Sequence, residues 1–111
     1  MTTSPPVCHA HVYYDVGNLH VAGNLCRRTA EKFKLAMGRL HSVPIGPHPL
    51  PSCQLTIPLD QLEAVLPWLD RNRQNLSVLV HPVTGNDLAD HTDDCFWLGT
   101  PHRLRLDTFK K

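Results

Sequence analysis

Apolar and polar positions alternate with a period of two in several short stretches and with helical spacing in two longer ones. Residues 7–14, Val-Cys-His-Ala-His-Val-Tyr-Tyr, are rich in β-branched and aromatic side chains and predict a first strand. Leu19, Ala22, Leu25, Cys26, Ala30 and Phe33 recur at helical spacing behind Asn18, a suitable N-cap. They predict an amphipathic helix over 19–35, weakened only at Gly23. Met37 to Val43 predicts a short second strand, and Pro44 to Pro51, with four prolines and one glycine, a stiff loop. Cys53 to Ile57 predicts a third strand closed by Pro58. Leu62, Val65, Leu66 and Leu69 predict a second helix, which Pro67 is expected to bend or end. Leu76 to Val80 reads as a fourth strand ending at His81-Pro82, residues 85–91 as one or two helical turns, and residues 92–111 as irregular.

The order β-α-β-β-α-β predicts an α+β, ferredoxin-like fold: a four-stranded antiparallel sheet with two helices on one face. One domain over residues 1–111 is expected, with a core at about 7–82 and a C-terminal extension at 83–111. The uncovered sheet face then needs an occupant: a ligand, the extension itself or a second subunit. The concentrated apolar group Phe96-Trp97-Leu98 fits either self-capping or a homodimer.

Composition narrows the function classes. Hydrophobic content of 41%, charged content of 19% and a net charge of +1 describe a globular chain. No run of Lys or Arg exceeds two residues, so neither nucleic acid nor an anionic membrane is an expected partner. Apolar stretches fall well short of the ~20 residues a spanning helix needs. Met1 to Pro6 carries no basic segment followed by an apolar core, and the scattered Cys8, Cys26, Cys53 and Cys95 form no CxxC pair. A cytoplasmic protein with reduced thiols is expected.

The chemistry lies in eight histidines. Side chains two apart in a strand share a face, so His9 and His11 stand side by side, roughly 7 Å apart at the backbone. If Cys8, Ala10, Val12 and Tyr14 face the helices, then His9, His11 and Tyr13 occupy the open face. The same alternation sends Gln54 and Thr56, Ser77, Leu79 and His81, and Arg39 and His41 to that side. Strand four runs antiparallel to strand one, which brings His81 beside His9. Strand three is expected to run parallel to strand one, which sets Gln54 and the loop carrying His48 at the same end, with His91 following strand four. His20 and His102 are expected to be solvated. Clustered neutral imidazoles suit a first-row divalent metal, with His9, His11 and His81 as ligands and His48 able to replace one. No carboxylate ligand is evident: Asp15 lies at the far end, and Asp87, Asp90, Asp93 and Asp94 would have to fold back.

At these residues the chain resembles the DOPA dioxygenase family, small extradiol-type enzymes with a ferredoxin-like fold. The resembling blocks are His-Ala-His-Val-Tyr-Tyr-Asp (9–15), Gly-Arg-Leu-His (38–41), Gly-Pro-His-Pro (46–49) and Pro-Trp-Leu-Asp-Arg-Asn-Arg (67–73). Leu-Ser-Val-Leu-Val-His-Pro-Val-Thr-Gly (76–85), Asp-Leu-Ala-Asp-His (87–91) and Trp-Leu-Gly (97–99) continue the series. The resemblance implies a non-haem Fe(II) enzyme that opens a catechol such as DOPA beside its hydroxyls, using O₂. It implies His48, or else His91, as the proton-handling group, and Tyr13, Arg39, His41 and Gln54 as substrate contacts. Two alternatives use the same residues: a non-catalytic ferredoxin-like dimer that holds a metal or small molecule, and a zinc site in place of iron. RNA binding is disfavoured because strand three offers Gln54 and Thr56 where stacking aromatics would be needed.

Overall fold

The computed structural model describes residues 6–109. Its elements run β1 (Val7–Tyr13), α1 (Leu19–Phe33), β2 (Ala36–Met37), β3 (Ser52–Pro58), α2 (Leu62–Asn72), β4 (Val78–Pro82), α3 (Asp87–Asp90) and β5 (Phe96–Leu98). The strands form one sheet in the order β2-β3-β1-β4-β5, with antiparallel pairing throughout. The α+β ferredoxin-like arrangement is therefore present, with a fifth strand added. Phe96–Leu98 pairs with the free edge of β4 opposite Val78–Val80, because that edge offers unpaired backbone groups to an apolar segment. The stretch expected to be irregular thus contains a strand.

The helix-facing side of the sheet is as alternation predicts. Cys8, Ala10, Val12 and Tyr14 of β1 and its continuation join Cys53, Leu55 and Ile57 of β3, and Leu76, Val78 and Val80 near or in β4. Onto them pack Ala22, Leu25 and Cys26 of α1, and Val65 and Leu69 of α2. Gly23 sits where a Cβ would come within 3.1 Å of Leu40, so its lack of a side chain permits α1 to approach the strand layer. α1 stops at Phe33 rather than 35 because Lys34 adopts the left-handed conformation at φ 56°. Helix α2 continues through Pro67 to Asn72. The proline removes a single helical bond in the middle of α2, and burial of Val65 and Leu69, at about 1.5–3 kcal/mol each, holds the helix against the sheet.

Strand direction differs from expectation at one place that matters for the site. β3 is antiparallel to β1, with His11 opposite Gln54 and His9 opposite Thr56. The crossover through α1 returns the chain parallel to β1 at the sheet edge, and β3 folds back between them. The loop carrying His48 therefore enters β3 at the Tyr13 end, where Ser52 pairs with Tyr13. β2 also ends at Met37 instead of Val43, although the Gly38 N–H still donates to the Gln54 carbonyl and the His41 N–H to the Ser52 carbonyl, so the segment follows β3 irregularly. Among the described residues no helix is long and apolar enough to cross a membrane.

Leu55 is fully buried on the central layer, so Leu55→Ala is expected to cost about 2–5 kcal/mol of stability. Urea unfolding followed by circular dichroism checks this as a lowered midpoint at unchanged slope.

Candidate active site

The central strand presents His9 and His11 on the face away from the helices. His9 lies directly opposite His81 of β4, and His11 opposite Gln54 of β3. Two more imidazoles arrive from outside the sheet. The proline-rich loop brings His48 against His11, ring centres 4.1 Å apart and planes tilted by 41°. After β4, Gly85 at φ 93° turns the chain and Asn86 caps α3 by accepting from the Ala89 N–H. That turn carries His91 back to His81, with ring centres 4.1 Å apart. His9 and His81 lie 5.3 Å apart, and His11 and His81 5.0 Å. Expected neighbours from five separate positions do meet, although the His48 loop arrives from the opposite end of β1.

Backbone carbonyls and one phenol orient the rings. His81 donates its Nδ1–H to the Pro82 carbonyl at 2.7 Å, and His91 its Nδ1–H to the Asp87 carbonyl at 2.7 Å. A carbonyl only accepts, so in its neutral form each ring carries its proton on Nδ1 and presents a lone pair at Nε2. Nε2 of His11 and Nε2 of His81 lie 3.0 Å apart. Two nitrogens bound at about 2.1 Å to one ion, roughly at right angles, would have about this separation. Ligand nitrogens of His9, His11 and His81 lie within 4.8 Å of one another, as do those of His11, His48 and His91. The donor set thus fits a divalent transition metal in either of two triads that share His11.

The environment favours the neutral forms of His9, His11, His48 and His81, as metal ligation requires. Burial, reinforced by neighbouring imidazoles, pushes His11 well below its ordinary 6.5 and His48 down to about 4. Burial also lowers His9 and His81, and the Asp90 carboxylate partly opposes the effect on both. The five rings, with Gln54, Asp90 and Phe109 completing much of the wall, enclose a cavity of about 230 Å³. A smaller recess of about 90 Å³ beside it brings in His41 with His11, His48 and Gln54.

Asp90 is a residue that pattern reasoning set aside. It is 1% exposed, and its two oxygens accept from the Thr84 N–H at 2.9 Å and the Thr84 hydroxyl at 2.6 Å. The usable signal was Gly85-Asn86, a turn and helix cap that folds the segment back. Phe109 was likewise missed; its ring lies 4.9 Å from that of His91. Arg39 is exposed and lines neither recess. Tyr13 faces the open side but lines neither recess, its hydroxyl lying 2.7 Å from His48 Nδ1. His102, expected to be solvated, packs against Tyr13 and Trp97 and lies 3.1 Å from the Ser77 hydroxyl. His20 is exposed, as expected.

The sequence profile of the Dopa 4,5-dioxygenase family matches residues 8–108. The chain belongs to the Dopa 4,5-dioxygenase family. It is 31% identical over 107 residues to DOPA 4,5-dioxygenase of Amanita muscaria, a match covering 88% of this chain and 47% of that protein. An uncharacterized 21.2 kDa protein of Botryotinia fuckeliana is 33% identical over 113 residues, covering 91% of this chain and 62% of that one. The chain therefore spans less than two thirds of the length of either curated relative. A crystal structure of a candidate dioxygenase from Nostoc punctiforme superposes with a TM-score of 0.91 at 36% identity, covering 96% of this chain and 92% of that one.

In this Dopa 4,5-dioxygenase family member the buried imidazoles link stability to pH. The unfolded chain takes up histidine protons near 6.5, whereas folded His48 resists them until about 4. Between those values the unfolded state binds more protons, so the stabilisation is complete above 6.5 and is lost as pH falls toward 4. The metal-free protein should show a lower urea midpoint near about pH 5 than near about pH 7.5, and His48→Gln should flatten the difference. An unchanged midpoint across that range would contradict the neutral cluster.

Proposed function

We propose that the protein is a ring-cleaving dioxygenase of extradiol type, acting on a catechol such as DOPA with O₂ and a non-haem Fe(II) held by His9, His11 and His81. The observation that carries this reading is the convergence of those three nitrogens within 4.8 Å on the wall of one cavity, in a member of this family. When bound, the metal supplies open positions at which catechol oxygens and O₂ meet, reducing the entropic barrier to their reaction.

The chain's own groups supply the rest. His48 and His91 both face the cavity, and one of them, His48 or else His91, takes a proton from a substrate hydroxyl and later returns it to oxygen. Gln54, opposite His11, orients the ring hydroxyls through its amide, and His41 borders the adjoining recess. Phe109 and Val83 provide apolar wall for an aromatic ring. Arg39 can meet a substrate carboxylate only outside the cavity, at the surface. A location in the cytoplasm and a homodimer belong to the same proposal.

Anaerobic loading with Fe(II), followed by a catechol and air, tests the reaction. Expected are O₂ consumption and a coloured ring-opened product. An iron-loaded protein that leaves the catechol intact would favour a binding role, and activity with zinc alone would overturn the assignment of iron. The double variant His9→Ala, His81→Ala is expected to lose its metal, read by elemental analysis after gel filtration. His48→Ala should retain the metal while turnover falls by roughly 10²–10⁴-fold.

A further inference from the structure

Tyr13 belongs to the central strand, yet it touches no part of the two histidine-lined recesses. It is 2% exposed, boxed by Trp97 of β5 at 5.4 Å and by His102 at 5.6 Å between ring centres. Its hydroxyl has one hydrogen-bond partner among the described residues, His48 Nδ1 at 2.7 Å. Either group can donate in this contact, and the two choices have opposite consequences for His48.

If the imidazole donated, the phenol hydrogen would be left without an acceptor in a buried place, at a cost of about 1–3 kcal/mol. If the phenol donates, both groups are satisfied through one bond. A phenol O–H is also the more acidic and therefore the stronger donor of the two. Nδ1 of His48 then holds its lone pair toward Tyr13, and its proton resides on Nε2, the nitrogen left to the cavity.

We propose that Tyr13 is a positioning residue that locks His48 in the Nε2–H tautomer, withholding it from a metal ion and leaving its Nε2–H as a hydrogen-bond donor at the cavity wall. The lock chooses between the two triads. His11, His48 and His91 would need a lone pair that His48 no longer offers, so the ion falls to His9, His11 and His81. It also separates two roles, proton acceptor for His91 and hydrogen-bond donor for His48, an assignment that rests on the dioxygenase reading. His91 donates its Nδ1–H to Asp87 and so accepts at Nε2, whereas His48 donates there. Trp97 and His102, from the segment after β4, hold the tyrosine in place.

Nitrogen-15 NMR of histidine-labelled protein reads the tautomer directly, metal-free and loaded with zinc alone. The wild type should show His48 protonated at Nε2 in both forms. Tyr13→Phe, which keeps the ring packing, should lose that signature and let His48 Nε2 take a zinc-bound shift. A wild-type His48 protonated at Nδ1, or an unaltered tautomer in the Phe variant, would overturn the proposal; if the variant fails to fold, the wild-type spectrum alone decides. In iron-loaded protein Tyr13→Phe should lower kcat about tenfold, with KM within about twofold. A wild type that shows the expected tautomer but no turnover would refute the dioxygenase reading and leave the lock standing.

Discussion

Strand β1 is paired along both edges, and its side-chain alternation determines where every functional group can go. Burying Cys8, Ala10 and Val12 against the helices compels His9, His11 and Tyr13 to the opposite face. A slip of one residue would place imidazoles in the apolar layer and alanine and valine at the site. Each apolar side chain buried on the helix side, at about 1.5–3 kcal/mol for the larger ones, resists that slip. Register is therefore a stability property before it becomes a chemical one.

The histidine cluster is built against the ordinary preference of imidazole for water. Its cost is limited because three of the rings have partners outside the cluster: the Pro82 carbonyl for His81, the Asp87 carbonyl for His91, and Tyr13 for His48. Among the described residues no buried side-chain nitrogen or oxygen lacks a partner. Outer contacts of this kind also decide which ring nitrogen faces inward, and so what the cluster can bind. Asp90 adds a negative charge to the same wall while spending its hydrogen-bonding capacity on Thr84.

The segment after β4 does more than cover an apolar surface. It returns as α3 to deliver His91, pairs as β5 to bring Trp97 over Tyr13, and places Phe109 on the cavity wall. The Arg105 N–H donates to the Pro47 carbonyl at 2.7 Å, which joins this strap to the loop that carries His48. Sheet, loop and strap are thus one mechanical unit around the imidazoles. Membership in the Dopa 4,5-dioxygenase family is consistent with a small scaffold whose site is assembled from its central strand and its two long connections.

Local pattern alone determined the helix-facing core, the strand and helix identities and the common face of His9, His11 and His81, because alternation and helical spacing are short-range geometric consequences of the backbone. It also marked the proline-rich loop as a place where the chain leaves regular structure. Strand direction was not legible: β3 runs opposite to β1 because of how the crossover through α1 closes, and no residue of β3 encodes that. The short strand β5, the burial of Asp90 and the pairing of Tyr13 with His48 likewise depend on segments far apart in sequence finding each other's unpaired groups. Periodicity selects a face; only the folded path decides which distant groups share it and which nitrogen each of them turns inward.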